Sequence, residues 1–162
     1  MNLVVTPATK ENADLAAEIL IEASNWAIAQ GQPLWNPAMF TEGWALNGVE
    51  RGELYLGWQR DEAVGTITYQ HEDKAYWPDV PEGESAFFHK LAVRRSAAGT
   101  GVSKALVGWA IEKARAEGKR YLRMDTHFDR PKLRAYYENL GFQYVEEKWI
   151  EPYHLALYEM RL

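Results

Sequence analysis

The chain has 162 residues, 47% of them hydrophobic, and a formal net charge of -5, which suits one compact domain and disfavours a nucleic-acid partner held by its phosphates. It contains no cysteine, which excludes disulfides, cysteine-ligated zinc and a thiol acyl-enzyme intermediate. No apolar run is long enough to span a membrane, and residues 1–10 lack the basic start and apolar core of a signal peptide, so a cytoplasmic protein without a membrane partner is expected.

Asn2–Thr6 reads as a short strand. Asn12–Gln30 sets Leu15, Ile19, Ala23, Trp26 and Ile28 close to helical spacing, and Gly31 stops it. Pro33–Pro37 is a turn holding Trp35, and a second helix is predicted over Ala38–Glu50. Glu53–Gln59 and Glu62–Tyr69 alternate as strands of a hairpin about Arg60-Asp61. The polar stretch His71–Glu84 carries five acidic residues and one basic one, Lys74. A strand, Phe87–Val93, then runs into the small-residue loop Ala97-Ala98-Gly99-Thr100-Gly101, and a helix starts near Val102. A strand over Tyr121–Asp125 precedes a helix over Pro131–Leu140, with Pro131 in its first turn and Gly141 as its stop. Two last strands, Phe142–Ile150 and Tyr153–Leu162, are separated by Pro152. No repeat or linker interrupts the order, so residues 1–162 are expected to form one domain.

The segment Ala86–Gly118 builds an anion site. Its glycine loop lets backbone approach a ligand, and the helix behind it points unpaired N–H groups and a positive dipole end at that loop. From Ser85 through Ile111 there is no Asp or Glu, yet Lys90, Arg94, Arg95 and Lys104 all occur. A Walker A loop is excluded because no Gly-x-x-x-x-Gly-Lys-Ser/Thr run exists. A dinucleotide fingerprint, with Asp125 as its ribose acid, has Lys104 in place of the third glycine and expects parallel βαβ halves. An NAD(P)-binding oxidoreductase is therefore the weaker alternative.

Ala98-Gly99-Thr100-Gly101-Val102-Ser103 resembles the acyl-CoA pyrophosphate loop of the GNAT acetyltransferase superfamily: Arg or Gln, two residues, Gly, one residue, Gly or Ala. Ala98 and Ser103 depart from the pattern, and Arg94 or Arg95 would supply the missing charge. The strand FFHKLAV and the run LRAYYENLGF, Leu133–Phe142, are also typical of the family. The resemblance implies an α/β (α+β) GNAT fold with a mixed, mostly antiparallel sheet of about seven strands flanked by about four helices. It implies acetyl-CoA as acyl donor, with no metal. The donor would be held by Leu91, Ala92 and Val93 along the pantetheine and by Ala98, Gly99, Thr100, Gly101, Val102, Ser103 and Lys104 at the pyrophosphate. Arg130 stands where the family commonly has a pantetheine-side Asn. The strands Phe87–Val93 and Tyr121–Asp125 would splay to admit pantetheine, which pairs as an added strand would.

Direct transfer of acetyl to a primary amine of a small molecule or peptide follows from that resemblance. A strand N–H near Ala92 or Val93 would polarise the thioester carbonyl, and Tyr137 would protonate the thiolate, in competition with a packing role on the face Leu133, Tyr136, Tyr137, Leu140. Glu84 and His71 are the first candidates for the base; Glu72, Asp73, His89 and His127 follow. Trp26, Trp35, Trp44, Tyr76 and Trp77 would line an acceptor cleft or pack a core or homodimer face. A non-catalytic acyl-CoA-binding module remains the second alternative.

Overall fold

The computed structural model describes residues 2–162. In chain order it forms β1 (Val4–Pro7), α1 (Ala13–Ala29), a 3-10 turn (Pro37–Met39), α2 (Glu42–Glu50), β2 (Leu54–Gln59), β3 (Glu62–Gln70), β4 (Ser85–Val93), a second 3-10 turn (Arg95–Ala97), α3 (Val102–Ala116), β5 (Tyr121–His127), α4 (Pro131–Asn139), β6 (Gln143–Ile150) and β7 (Tyr153–Arg161). The strands form one seven-stranded sheet in the order β1-β2-β3-β4-β5-β7-β6. β4 pairs with β5 in parallel, whereas β1–β2, β2–β3, β5–β7 and β6–β7 are antiparallel. This is the GNAT fold that the motifs imply.

The second helix starts four residues later than predicted, because two caps act in succession. Asn36 accepts from the Ala38 N–H at 3.0 Å to open the 3-10 turn, and Thr41 Oγ1 accepts from the Trp44 N–H at 3.1 Å to open α2. Each satisfies an N–H that a helix start leaves orphaned. Between them Phe40 is buried, so the chain turns inward before α2 begins.

Contacts group the chain into two compact units, one with the residues up to Tyr69 and Lys90–Trp109, the other with Gln70–His89 and Ala110–Leu162. In the first, α1 buries Ala13, Ala16, Ile19 and Leu20 against Phe40, Leu54 and Leu56, with Trp35 and Trp44 packed alongside. Trp26 and Ile28, expected in the apolar stripe of α1, face outward. In the second unit Trp77, Phe87 and Leu157 form a buried cluster with Tyr76 and Val80 against it. Of the aromatic residues expected to line a cleft or to pack a core or homodimer face, Trp35, Trp44, Trp77 and Tyr76 pack in these cores and Trp26 does not.

All four helices close in the same way. At the end of α4 the Phe142 N–H donates to Tyr137 O at 3.1 Å and the Gly141 N–H to Glu138 O at 3.0 Å, with Gly141 at φ 104°. This is a Schellman cap, and its customary apolar contact is present as the edge-on Tyr137–Phe142 ring pair, 6.2 Å between centroids. Gly31, Gly52 and Gly118 take the same place after α1, α2 and α3.

Gly65 of β3 is fully enclosed. A Cβ there would lie 2.8 Å from Leu106 Cδ1 and 3.2 Å from both the Ala92 carbonyl oxygen and Val102 Cγ1. The carbonyl is backbone and yields little. Gly65→Val is therefore expected to destabilise the protein by about 1–3 kcal/mol, the usual cost of overpacking, measured as a lowered urea midpoint at unchanged slope; an unchanged midpoint would mean that β3 and α3 are not in this contact.

Candidate functional site

The glycine loop is built as its residues predict. Gly99 (φ 74°) and Gly101 (φ 90°) occupy the left-handed region, where a side chain is strained. Thr100 Oγ1 donates to Ala97 O at 2.5 Å, and Gly101 O accepts the Ala105 N–H at 3.0 Å as α3 begins. Ala98, Gly99, Thr100, Gly101 and Lys104 are exposed, Ser103 is half-buried and Val102 is buried. The loop therefore presents backbone to solvent at a helix N-terminus, a ready anion site.

The two arginines expected to supply the missing charge have other tasks. Arg94 Nε donates to Ala63 O at 2.8 Å. Arg95 lays its guanidinium over the Trp26 ring, 3.7 Å from the centroid, while its N–H donates to Glu22 Oε2 at 2.9 Å. Stacking on an indole accounts for the outward turn of Trp26.

β4 changes character along its length. Its parallel ladder with β5 is registered over Ser85–Phe87 and Tyr121–Arg123, whereas β5 stays paired with β7 from Tyr121 to His127. Farther on, Lys90 has φ 52°, a conformation uncommon for a non-glycine residue and abnormal inside a strand. Such a residue bends a strand and re-aims the groups beside it. The next residues are Leu91, Ala92 and Val93, of which Ala92 is buried and the others half-buried. No glycine or proline marks Lys90, so nothing in the residue pattern announced the kink.

Tyr137 is buried on α4, with Phe88 (6.3 Å), Tyr136 (5.2 Å) and Phe142 (6.2 Å) around its ring. Burial, then Tyr136, then Asp125 push its phenol well above the ordinary tyrosine value, so the hydroxyl keeps its proton at any physiological pH. Arg130 occupies the N-cap position of the same helix without a side-chain cap hydrogen bond, and pairs with Asp129 at 3.0 Å.

Glu84 and His71, expected as bases, each have a charged partner. Glu84 Oε1 lies 3.2 Å from Arg123 Nη2. Arg123, itself buried, also binds Ser85 Oγ through Nε (3.0 Å) and Glu159 through Nη1, between the rings of Trp77 (4.7 Å) and Tyr121 (4.6 Å). A carboxylate that neutralises a buried guanidinium is committed to the fold. His71 is mostly exposed and sits 3.1 Å from Glu117.

A third cluster was visible in the sequence only as separate minor candidates. His89 Nε2 lies 3.0 Å from Asp73 Oδ2 and its Nδ1 lies 3.2 Å from Asp125 Oδ2. Burial disfavours the charged ring, but the carboxylates of Asp125 and Asp73 outweigh it and push the imidazole up to about 9. The three side chains have the chemistry of a metal set, with ligand atoms within 4.8 Å of one another. An ion needs a ring lone pair, however, and here each ring nitrogen already faces a carboxylate. An imidazolium fits this geometry better than a metal. Glu72 is exposed, and His127 packs edge-on to Tyr153 at 6.0 Å.

Comparison with known proteins agrees with this architecture. The family model for the acetyltransferase (GNAT) family matches residues 20–142. An uncharacterized N-acetyltransferase of Bacillus subtilis strain 168, YesJ, is 24% identical over 148 residues, covering 86% of this chain and 81% of its own. A GNAT-family acetyltransferase of Listeria monocytogenes superposes with a TM-score of 0.84 at 19% identity, over 99% of this chain and 95% of that one. A GNAT-family acetyltransferase of Elizabethkingia anophelis, solved with acetyl-CoA bound, gives 0.69 at 18% identity over 99% of both chains. The chain belongs to the GNAT acetyltransferase family. No helix among the described residues is long and apolar enough to cross a membrane.

The partners of Glu84 yield a direct test. Glu84→Gln should cost about 1.5–3 kcal/mol, the range for a hydrogen bond to a charged group, read as a lower urea midpoint. Acyl-transfer turnover should change less than about tenfold, against the roughly 10² or more lost with a general base. A larger loss of turnover at unchanged stability would restore Glu84 as the base.

Proposed function

We propose that this chain is an acyl-CoA-dependent N-acyltransferase that moves acetyl from acetyl-CoA directly to a primary amine of a small molecule or peptide. The observation that carries this reading is the loop Ala98–Lys104, exposed backbone with two left-handed glycines at the N-terminus of α3, in a chain of a family with an acetyl-CoA-bound neighbour. In this reading the pyrophosphate takes the loop N–H groups, and the backbone of Leu91, Ala92 and Val93 pairs with pantetheine as an added strand would. Ala98 lacks the long polar side chain that the family has there, and its own N–H donates to Arg95 O at 3.2 Å, so phosphate binding relies on the backbone that follows and on Lys104.

Three tasks complete the transfer. A strand N–H re-aimed beside Lys90 holds the thioester carbonyl as charge develops on its oxygen, a contact worth roughly 10²–10³ in rate when lost. Tyr137, protonated at neutral pH, gives its phenolic proton to the departing thiolate. The amine loses its own proton to water, since Glu84, His71 and His89 each have a charged partner. Without a cysteine there is no thiol to carry the acyl group, so holding the amine at the thioester does much of the work, up to about 7–11 kcal/mol. Arg130 takes a pantetheine-side position at the start of α4.

Gly101→Glu puts a side chain and a negative charge in the loop. CoA affinity should fall at least 100-fold in calorimetric titration while the circular dichroism spectrum is retained; full affinity in the folded variant would remove the pyrophosphate from this loop.

Tyr137→Phe removes only the hydroxyl. With chemistry rate-limiting, kcat should fall by about 10² or more at nearly constant CoA affinity, and Tyr136→Phe should be milder. Undiminished turnover in Tyr137→Phe would make Tyr137 a packing residue.

A further inference from the structure

Segment 71–84, which joins β3 to β4, is held at two places within its unit. At one, Trp77 is buried beside Phe87 and Leu157 with the Arg123 guanidinium over its ring, and an arginine stays charged at every relevant pH. At the other, Asp73 organises a turn: its Oδ1 accepts the Tyr76 N–H at 3.1 Å and its carbonyl the Trp77 N–H at 2.8 Å. Its remaining oxygen, Oδ2, faces His89, whose other ring nitrogen faces Asp125.

Those three side chains are only 7%, 15% and 13% exposed for Asp73, His89 and Asp125. Neither buried Oδ2 has an aligned hydrogen bond among the described residues. The charge on the ring is therefore what compensates both oxygens, and without it two carboxylates would remain buried and unbalanced. Held as an imidazolium between them, the ring has no lone pair to offer an amine.

We propose that His89, held as an imidazolium between Asp73 and Asp125, latches the Asp73–Tyr76 end of segment 71–84 to β4 and β5.

Other groups around the ring do not replace its charge. Tyr76 packs edge-on to it at 6.2 Å, Tyr153 of β7 bears on Tyr76, and Lys148 of β6 donates to Tyr76 O at 3.0 Å. The sign of the pH dependence follows. The folded value, about 9, exceeds the ordinary 6.5, so the latch is closed through neutral pH and opens as pH rises through about 9.

Lys74 is the one Lys or Arg in segment 71–84, which makes trypsin a local probe beside the latch. In the full-length protein at pH 7.5, cleavage after Lys74 should be at least tenfold faster in Asp73→Asn and His89→Gln than in wild type, and restored to within about threefold in His89→Arg, which keeps the cation. Wild-type cleavage, normalised to a free peptide, should also accelerate between pH 7.5 and 9.5. Ring 15N shifts of His89, identified by their loss in His89→Gln, should report two protonated nitrogens at pH 7.5. A neutral ring, or equal cleavage in wild type and the folded variants, overturns the latch; if neither variant folds, the ring shifts and the wild-type pH series decide.

Discussion

A guanidinium buried in the middle of β5 governs much of the second unit. Taking Arg123 out of water is costly unless its donors are met and its charge balanced, and the chain does so with Ser85, Glu84 and Glu159 and with two aromatic faces. These partners come from β4, the residue before it, β7 and segment 71–84, so one side chain ties together elements far apart in the sequence. Arg123 is also paired with Phe87 at the last registered step of the β4–β5 ladder. Glu84 and Trp77 are recruited to this cation, which is why neither is free for the work that an acidic, aromatic loop suggests.

The part of β4 proposed to hold pantetheine lies beyond that ladder. A strand paired on both sides spends its N–H and C=O groups on its neighbours; one bent by a left-handed residue at Lys90 does not run on regularly. The bend is followed at once by the residues proposed for pantetheine and then by the glycine loop. In that proposal both use main chain rather than side chains, and an amide N–H is the same donor whatever its side chain.

What could be read from the residues was what local rules encode. The glycine loop, the Pro131 start and the Gly141 stop all act within a few positions of themselves, and the structure has each where expected. Boundaries failed where two local signals compete, as at Asn36 and Thr41, whose successive caps replaced one long helix by a short turn and a shorter helix. The helical period placed Trp26 in a core stripe, but a guanidinium from Arg95 offered it a partner outside. The assignment of bases depended on contacts that no spacing reveals. Asp73, His89 and Asp125 are separated by 16 and then 36 positions, and Glu84 meets Arg123 only because the start of β4 lies alongside β5 in the parallel ladder. Lone acidic and imidazole groups were visible, but their pairing was not.

The cap that ends α4 does more than terminate a helix. Because the Phe142 N–H returns to the carbonyl of Tyr137, and the two rings meet, the phenol is indexed from the far end of its helix rather than from the near one. Changes at the Pro131 end can lengthen or fray the first turn without altering where the ring points. One residue inserted between Tyr137 and Gly141 would instead turn it by about 100° about the helix axis. The interval of four from tyrosine to glycine is thus an angular setting, held by the length of the last turn and not by the first.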